Sequence, residues 1–314
     1  MRDSKNGIIG LVVGDAMGVP VEFKSRDYLS KNPVTKMMGN GTYKVPLGTW
    51  SDDSSMTLAT TSSIINKKTI DYNDIALNFI KWMDEAAFTA TDLTFDIGRT
   101  CFCAINNYKR NKGTLDSYEC GMSDEYSNGN GSLMRILPIA YYAHYKNLCL
   151  DEIYEVTKKT SSITHKHDIS VMGCFIYVLF SIELLKGENL TDAYKSIKEV
   201  DYSKYFSSRV IDKYHRILNN DISKYNINEI KSTGFVIDTL EAALWSLFTT
   251  DSYDSCILKA VNLGSDTDTV GAVSGGLAGI YYGYDTINKE WLKGIIRLDY
   301  IINICKEFDK VLSE

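Results

Sequence analysis

Residues 266–283 read DTDTVGAVSGGLAGIYYG, and the glycine spacing in this stretch decides how the chain must pack. Gly271, Gly275, Gly279 and Gly283 recur at every fourth position, which lines them along one helical face. A second run near the N-terminus repeats the device: Gly7, Gly10, Gly14 and Gly18 fall at spacings of three, four and four. Glycine inside a helix costs about 1 kcal/mol relative to alanine, so an aligned row implies a compensating close approach of another backbone or a ligand. Both glycine-faced helices are expected to pack centrally. Neither run is a dinucleotide fingerprint, which needs G-x-G-x-x-G after a strand, nor a Walker A loop, which needs a lysine.

Outward from these runs the periodicity is helical almost throughout. Ile75, Phe79 and Trp82-Met83 repeat at helical spacing, as do Ile153, Val156 and Thr157, and Val236, Leu240, Ala243 and Leu247. Strict alternation is confined to Met37–Trp50, which reads as a loop with a short hairpin around Gly39-Asn40-Gly41. The most apolar run, Val171 to Leu185, is shorter than the roughly 20 residues that cross a bilayer and reads as a buried helix. No Pro/Ser/Gly-rich linker and no fixed-period repeat divides the chain. The expectation is an all-α fold, a single compact multi-helix bundle domain over residues 1–314. Glu199–Lys231, rich in Tyr, Ser, Asn and Lys, reads as a solvated connection or a substrate-facing lid.

Composition narrows the function classes. Hydrophobic residues at 44% and charged residues at 24% give a soluble globular chain with a substantial core. A net charge of −6 argues against a binder of nucleic-acid backbones, which would show a basic face. Seven cysteines, without a repeated C-x-x-C, read as reduced thiols, and the N-terminus lacks a signal-peptide pattern, so a cytoplasmic monomer is expected.

Two acidic clusters, Ser51-Asp52-Asp53 and Asp266-Thr267-Asp268-Thr269, each stand just ahead of a helical segment. Asp, Ser and Thr are favoured helix caps, and as caps the clusters would need no ligand. Brought together, four carboxylates repel one another unless cations neutralise them, and hard oxygen ligands suit magnesium, calcium or manganese. Asn128-Gly129-Asn130-Gly131-Ser132-Leu133-Met134-Arg135 carries two glycines able to turn successive N–H groups into an anion-binding nest, or simply forms a turn and a cap. Pro20 ends the first helix and leaves Glu22 on a loop, either solvent-exposed or reaching a site. Asp15, inside an apolar helix, must be hydrogen-bonded if buried. His165 and His167 lack the further ligands a zinc site needs. No Gly-x-Ser-x-Gly elbow occurs, and a water nucleophile would make one unnecessary.

In order and content, the segments 14–22, 48–53, 128–135, 164–168 and 264–269 resemble the ADP-ribosylglycohydrolase family, and the likeness runs from Gly7 to Gly283. The resemblance implies a hydrolase that cleaves the glycosidic bond between ADP-ribose and a protein or small-molecule acceptor. It implies two Mg2+ ions, with Mn2+ an alternative, held at helix N-termini by Ser51, Asp52, Asp53, Asp266, Asp268 and Thr269. Asp52, Asp53 and Glu22 would be catalytic. Asn128, Gly129, Asn130, Gly131, Ser132, Met134 and His165 would hold the ADP-ribose. The expected geometry is a non-helical turn spanning Asp266 and Asp268, with Thr269 opening the helix. Two other readings fit the same scaffold: a crystallin-like or ADP-ribose-binding protein without turnover, and a two-metal hydrolase of phosphoesters or pyrophosphates.

Overall fold

The computed structural model describes residues 3–314, so the first two residues of the expected 1–314 unit lie outside the described ones. The regular elements are helices, and β-pairing among the described residues is confined to isolated bridges such as Asn40 with Val45. In chain order the first eight are α1 (Ser4–Gly18), α2 (Arg26–Lys31), α3 (Asp52–Lys67), α4 (Tyr72–Glu85), α5 (Arg99–Asn111), α6 (Leu137–Tyr145), α7 (Leu150–Ser162) and α8 (Asp168–Lys186). The others are α9 (Leu190–Lys198), α10 (Ser208–Lys213), α11 (His215–Leu218), α12 (Val236–Phe248), α13 (Tyr253–Val261), α14 (Thr267–Tyr282), α15 (Lys289–Gly294) and α16 (Leu298–Ser313).

The glycine rows do meet. A Cβ built on Gly10 would lie 2.3 Å from the Gly275 carbonyl oxygen, and one on Gly14 would lie 2.0 Å from that of Gly271. In the opposite direction, Gly279 would strike the Asn6 carbonyl oxygen at 2.1 Å. These pairings run antiparallel, so the C-terminal end of α1 meets the N-terminal end of α14. Backbones this close are what the missing side chains make possible. Gly283 departs from the expected row: it caps α14 at φ 91° with nothing within 4 Å of its Cβ direction. Gly7 faces side chains, Tyr141 and Ile280, where a backbone was expected.

The two central helices are enclosed by the rest. α14 packs on α8, α12 and α13 as well as α1, while α3 bridges α1, α4 and α16. A second apolar cluster, including Met56, Ile75, Phe79, Trp82, Cys101, Ile105 and Met134, joins α3 to α4 and α5. Helix α8 extends beyond the expected 171–185 to span 19 residues, long and apolar enough by composition to cross a membrane. Its surface is nonetheless covered by α6, α7, α9, α12 and α14, and it is a core helix here.

The stretch 199–231 is exposed along much of its length but anchored to the core by large apolar side chains. Tyr202, Phe206, Val210, Tyr214, Ile217, Ile222 and Ile230 are all buried, and the Tyr214 hydroxyl donates to the Ile169 carbonyl oxygen at the start of α8. Arg216 is held by both carboxylate oxygens of buried Glu241, at 2.7 and 2.9 Å. Its polar composition hid a regularly spaced set of large apolar anchors.

Candidate active site

Helix ends build the site. Asp15, one turn before the end of α1, is fully buried and accepts from the Ser51 amide at 3.0 Å, from the Ser54 amide at 3.1 Å and from the Ser54 hydroxyl. This carboxylate caps the N-terminus of α3 from another helix, so α3 starts where α1 dictates. Burial is the main force on Asp15 and raises its pKa to about 7, against those hydrogen bonds. Ser51 is the N-cap of α3, which places Asp52 and Asp53 in its first turn.

The second cluster is brought to the first by a turn. Gly264 and Ser265 both lie in the left-handed region, at φ 78° and 67°. The Ser265 amide and carbonyl pair with Lys24 and Phe23, each at 2.7 Å. The helix opens two residues earlier than expected: α14 begins at Thr267, so Asp266 is its N-cap, and Asp268 and Thr269 sit in its first helical turn. The Thr267 hydroxyl donates to the Gly18 carbonyl oxygen at 2.8 Å and clamps the two helix ends together.

Across this junction Ser51 Oγ donates to Asp53 Oδ2 at 3.0 Å, and Thr269 Oγ1 reaches the same oxygen at 3.4 Å. Carboxylate oxygens of Asp15, Asp53 and Asp268 lie within 4.8 Å of one another, and so do those of Glu22, Asp96 and Asp268. Asp268 belongs to both groups. Burial, with the charges of neighbouring acids, pushes Asp52, Asp53 and Asp268 well above the usual carboxylate range. Asp266 also rises through burial, opposed by a hydrogen bond from Asn130 Nδ2 at 2.9 Å. Three buried oxygens, Glu22 Oε2, Asp53 Oδ1 and Asp268 Oδ2, have no hydrogen-bond partner. A buried acceptor left unpaired is costly, and a hard cation is the chemistry that satisfies several at once. The donor set therefore fits divalent cations.

Glu22 is buried, and Tyr43 lies within hydrogen-bond reach of both Glu22 and Asp96. Burial, then the Asp96 charge, raises Glu22 to about 8. Asp96 was missed in the sequence. It sits at φ 56° two residues before Gly98, the N-cap of α5. The order is the reverse of that in the other two clusters, where glycine precedes acids that cap or open the helix, so a lone acid two residues before a glycine N-cap is a much weaker signal.

The acids floor a cleft of about 220 Å³. Of the expected substrate contacts, Gly129, Asn130, Gly131, Met134 and His165 line it, with Arg99, Cys101 and Gly234 added by the fold. Asn128 and Ser132 do not. Asn128 is buried and accepts from the amide and hydroxyl of Ser170 at 3.3 and 3.1 Å, which anchors the loop to α8. Ser132 is fully buried, its hydroxyl engaged by Ser161 at 2.9 Å and Cys174 at 3.3 Å. Nor do Gly129 and Gly131 adopt the left-handed angles of a nest. Gly131 is small because Cys101 and His165 stand against it: a Cβ there would meet Cys101 Sγ at 2.8 Å and His165 Cε1 at 2.9 Å, whereas one on Gly129 would meet His165 Nε2 at an ordinary 3.4 Å. Asn130 N–H donates to the carbonyl oxygen of cleft-lining Gly234 at 3.0 Å, and the next residue, Phe235, 37% exposed, pairs with Gly129. Arg135 is buried and binds the Thr160 carbonyl oxygen, as a loop-holding arginine rather than a phosphate contact.

The ADP-ribosylglycohydrolase family model matches residues 4–313. An ADP-ribosylarginine hydrolase, Tri1, of Serratia proteamaculans is 30% identical over 307 residues, covering 97% of this chain and 78% of that protein. An ADP-ribosyl-[dinitrogen reductase] glycohydrolase of Rhodospirillum rubrum is 31% identical over 288 residues, covering 90% and 87%. Among solved structures, an ADP-ribosylglycohydrolase-related protein complex superimposes with a TM-score of 0.81 at 26% identity, covering 99% of this chain and 98% of that one.

Proposed function

We propose, from the premise that this chain belongs to the ADP-ribosylglycohydrolase family and is a glycosidic-bond hydrolase, that it removes ADP-ribose from arginine side chains of a modified protein with the help of two Mg2+ ions. The observation that carries the metal requirement is the set of unpartnered buried oxygens on Glu22, Asp53 and Asp268, shared between two acid groups through Asp268. Ser51, Asp52, Asp53, Asp266, Asp268 and Thr269 would hold the cations, with Glu22 and Asp96 beside them. Bound there, the cations supply charge neutralisation, a grip on vicinal ribose hydroxyls and a lower pKa for water.

The remaining work falls to side chains. Asp52 and Glu22, which line the cleft, would orient or deprotonate the attacking water, with fully buried Asp53 supporting them from behind. His165 and the Gly129–Gly131 stretch receive the diphosphate, and Arg99 offers a cation at the same wall. Phe235 gives the base an apolar face, a contact worth about 1–3 kcal/mol. Arginine as acceptor is supported by the acidic walls, which favour a cationic guanidinium beside the anomeric carbon.

Arginine- and serine-linked ADP-ribosyl peptides, incubated with the protein with and without a chelator, test this reading. Intact ADP-ribose should leave the arginine peptide only, and only with Mg2+. Full turnover by both Asp52→Ala and Asp266→Ala under saturating Mg2+ would refute the metal assignment. Release of AMP instead of ADP-ribose would favour a pyrophosphate hydrolase.

A further inference from the structure

Arg135, Thr164 and His165 form a chain of contacts behind the cleft that the roles above leave unused. Arg135 Nη2 donates to Thr164 Oγ1 at 2.7 Å, and Thr164 Oγ1 lies 2.9 Å from His165 Nδ1. All three residues are buried. A guanidinium has donors and no acceptor, so the direction of the first bond is fixed, and a hydroxyl has one hydrogen to give. Two acceptors compete for that hydrogen: His165 Nδ1, and the Cys101 sulfur, which is also within reach of Thr164. An imidazole nitrogen is a far better acceptor than a thiol sulfur, so the hydrogen goes to Nδ1. The ring proton must then sit on Nε2, which faces Gly129 and Gly131 on the cleft wall.

We infer that Arg135 and Thr164 are positioning residues that lock His165 as the Nε2–H tautomer, so that a neutral donor faces an anionic oxygen of the ligand in the cleft. The phosphate partner rests on the proposed function; the tautomer does not. The alternative tautomer would present a bare nitrogen lone pair to phosphate oxygens, which accept and do not donate. Burial, reinforced by the Arg135 charge, lowers the His165 pKa to about 3, so the ring stays neutral across the working range. The Arg135 guanidinium is itself held over the Phe79 ring at 4.7 Å and by the Thr160 carbonyl oxygen, which keeps the start of the chain rigid.

Long-range proton–nitrogen correlation spectra of the 15N-labelled protein read the tautomer directly, with His165→Gln identifying its signal among the four histidines. The expected pattern is a neutral Nε2–H ring unchanged from about pH 5.5 to about pH 8.5. An Nδ1–H pattern, or titration near the ordinary histidine value, overturns the inference. Thr164→Val should mix the tautomers and weaken ADP-ribose binding roughly tenfold by calorimetry, while adenosine binding is unchanged and Thr164→Ser restores both readouts. An unaltered tautomer and affinity in folded Thr164→Val would overturn it equally. Failure of the wild type to bind ADP-ribose would overturn the phosphate partner and the proposed function together, while the spectrum still decides the tautomer.

Discussion

Replacing Gly18 with alanine sets two effects of opposite sign against each other at the point where α1 meets the acidic turn. Helix propensity alone favours alanine by about 1 kcal/mol. The contact opposes it: the new Cβ would lie 2.3 Å from the Thr267 carbonyl oxygen and 2.4 Å from the backbone nitrogen and Cα of Asp268. Ordinary contact begins near 3.4 Å, so the two helix ends must part by about 1 Å. No flexible side chain can give way, because the struck atoms are backbone. Overpacking of this kind costs about 1–3 kcal/mol, and separation also weakens the Thr267–Gly18 hydrogen bond, worth about 1 kcal/mol. The net expectation for Gly18→Ala is a loss of about 1–3 kcal/mol, or about 2–6 °C in Tm by calorimetry. Displacing Asp268 by about 1 Å far exceeds the roughly 0.2 Å tolerance of metal coordination, so Mg2+ affinity should fall at least about tenfold and kcat about a hundredfold. Gly279→Ala is the control: it strikes the Asn6 carbonyl oxygen at 2.1 Å at the far end of the seam. It should cost similar stability and leave Mg2+ affinity within about twofold. A more stable Gly18→Ala, or equal loss of Mg2+ binding in both variants, would refute the reasoning.

Asp15→Ala removes the acceptor for three donors at the start of α3 and should destabilise the protein by about 3 kcal/mol, more than Ser54→Ala at about 1 kcal/mol, by urea denaturation. Under chelation the folded state holds Asp15 and Glu22 protonated up to about 7 and about 8, from ordinary values of 3.8 and 4.5. A raised folded pKa stabilises below the unfolded value and loses that stability as pH rises through the folded one, so the metal-free Tm should fall between about pH 4 and about pH 8 and level off above. Saturating Mg2+ should flatten that slope; an equally steep decline with Mg2+ would contradict the cation site. Tyr214→Ala should cost about 3–5 kcal/mol, and amides near 214–222 should exchange slowly in the wild type, whereas rapid exchange there would restore the lid reading.

The glycine rows and acidic caps were legible because each is a local pattern with a physical cost that demands a partner. A glycine every fourth residue weakens a helix unless a backbone comes close, and paired acids at a helix start are stable only as caps or ligands. From those signals came the central placing of α1 and α14 and the candidate acids Asp52, Asp53, Asp266 and Asp268, while the all-α architecture followed from the helical periodicity and the pairing of the two glycine rows from the structure. Buried tyrosines in 202–214 were misread because a polar average conceals anchors spaced along an irregular segment.

Tertiary structure alone decided which side chains face the cleft. Asn128 and Ser132 belong to the right motif but turn inward, where Ser170, Ser161 and Cys174 take up their hydrogen bonds. Asp96, Arg99 and Gly234 enter from loops and helix starts whose local sequence carries little periodicity, and only the packing of α5 and α12 brings them to the acids. Gly131 stood out in the sequence but not for its reason, which is the nearby Cys101 sulfur and His165 imidazole ring. Sequence sets the cost of each local choice, and long-range packing selects the partner that offsets it.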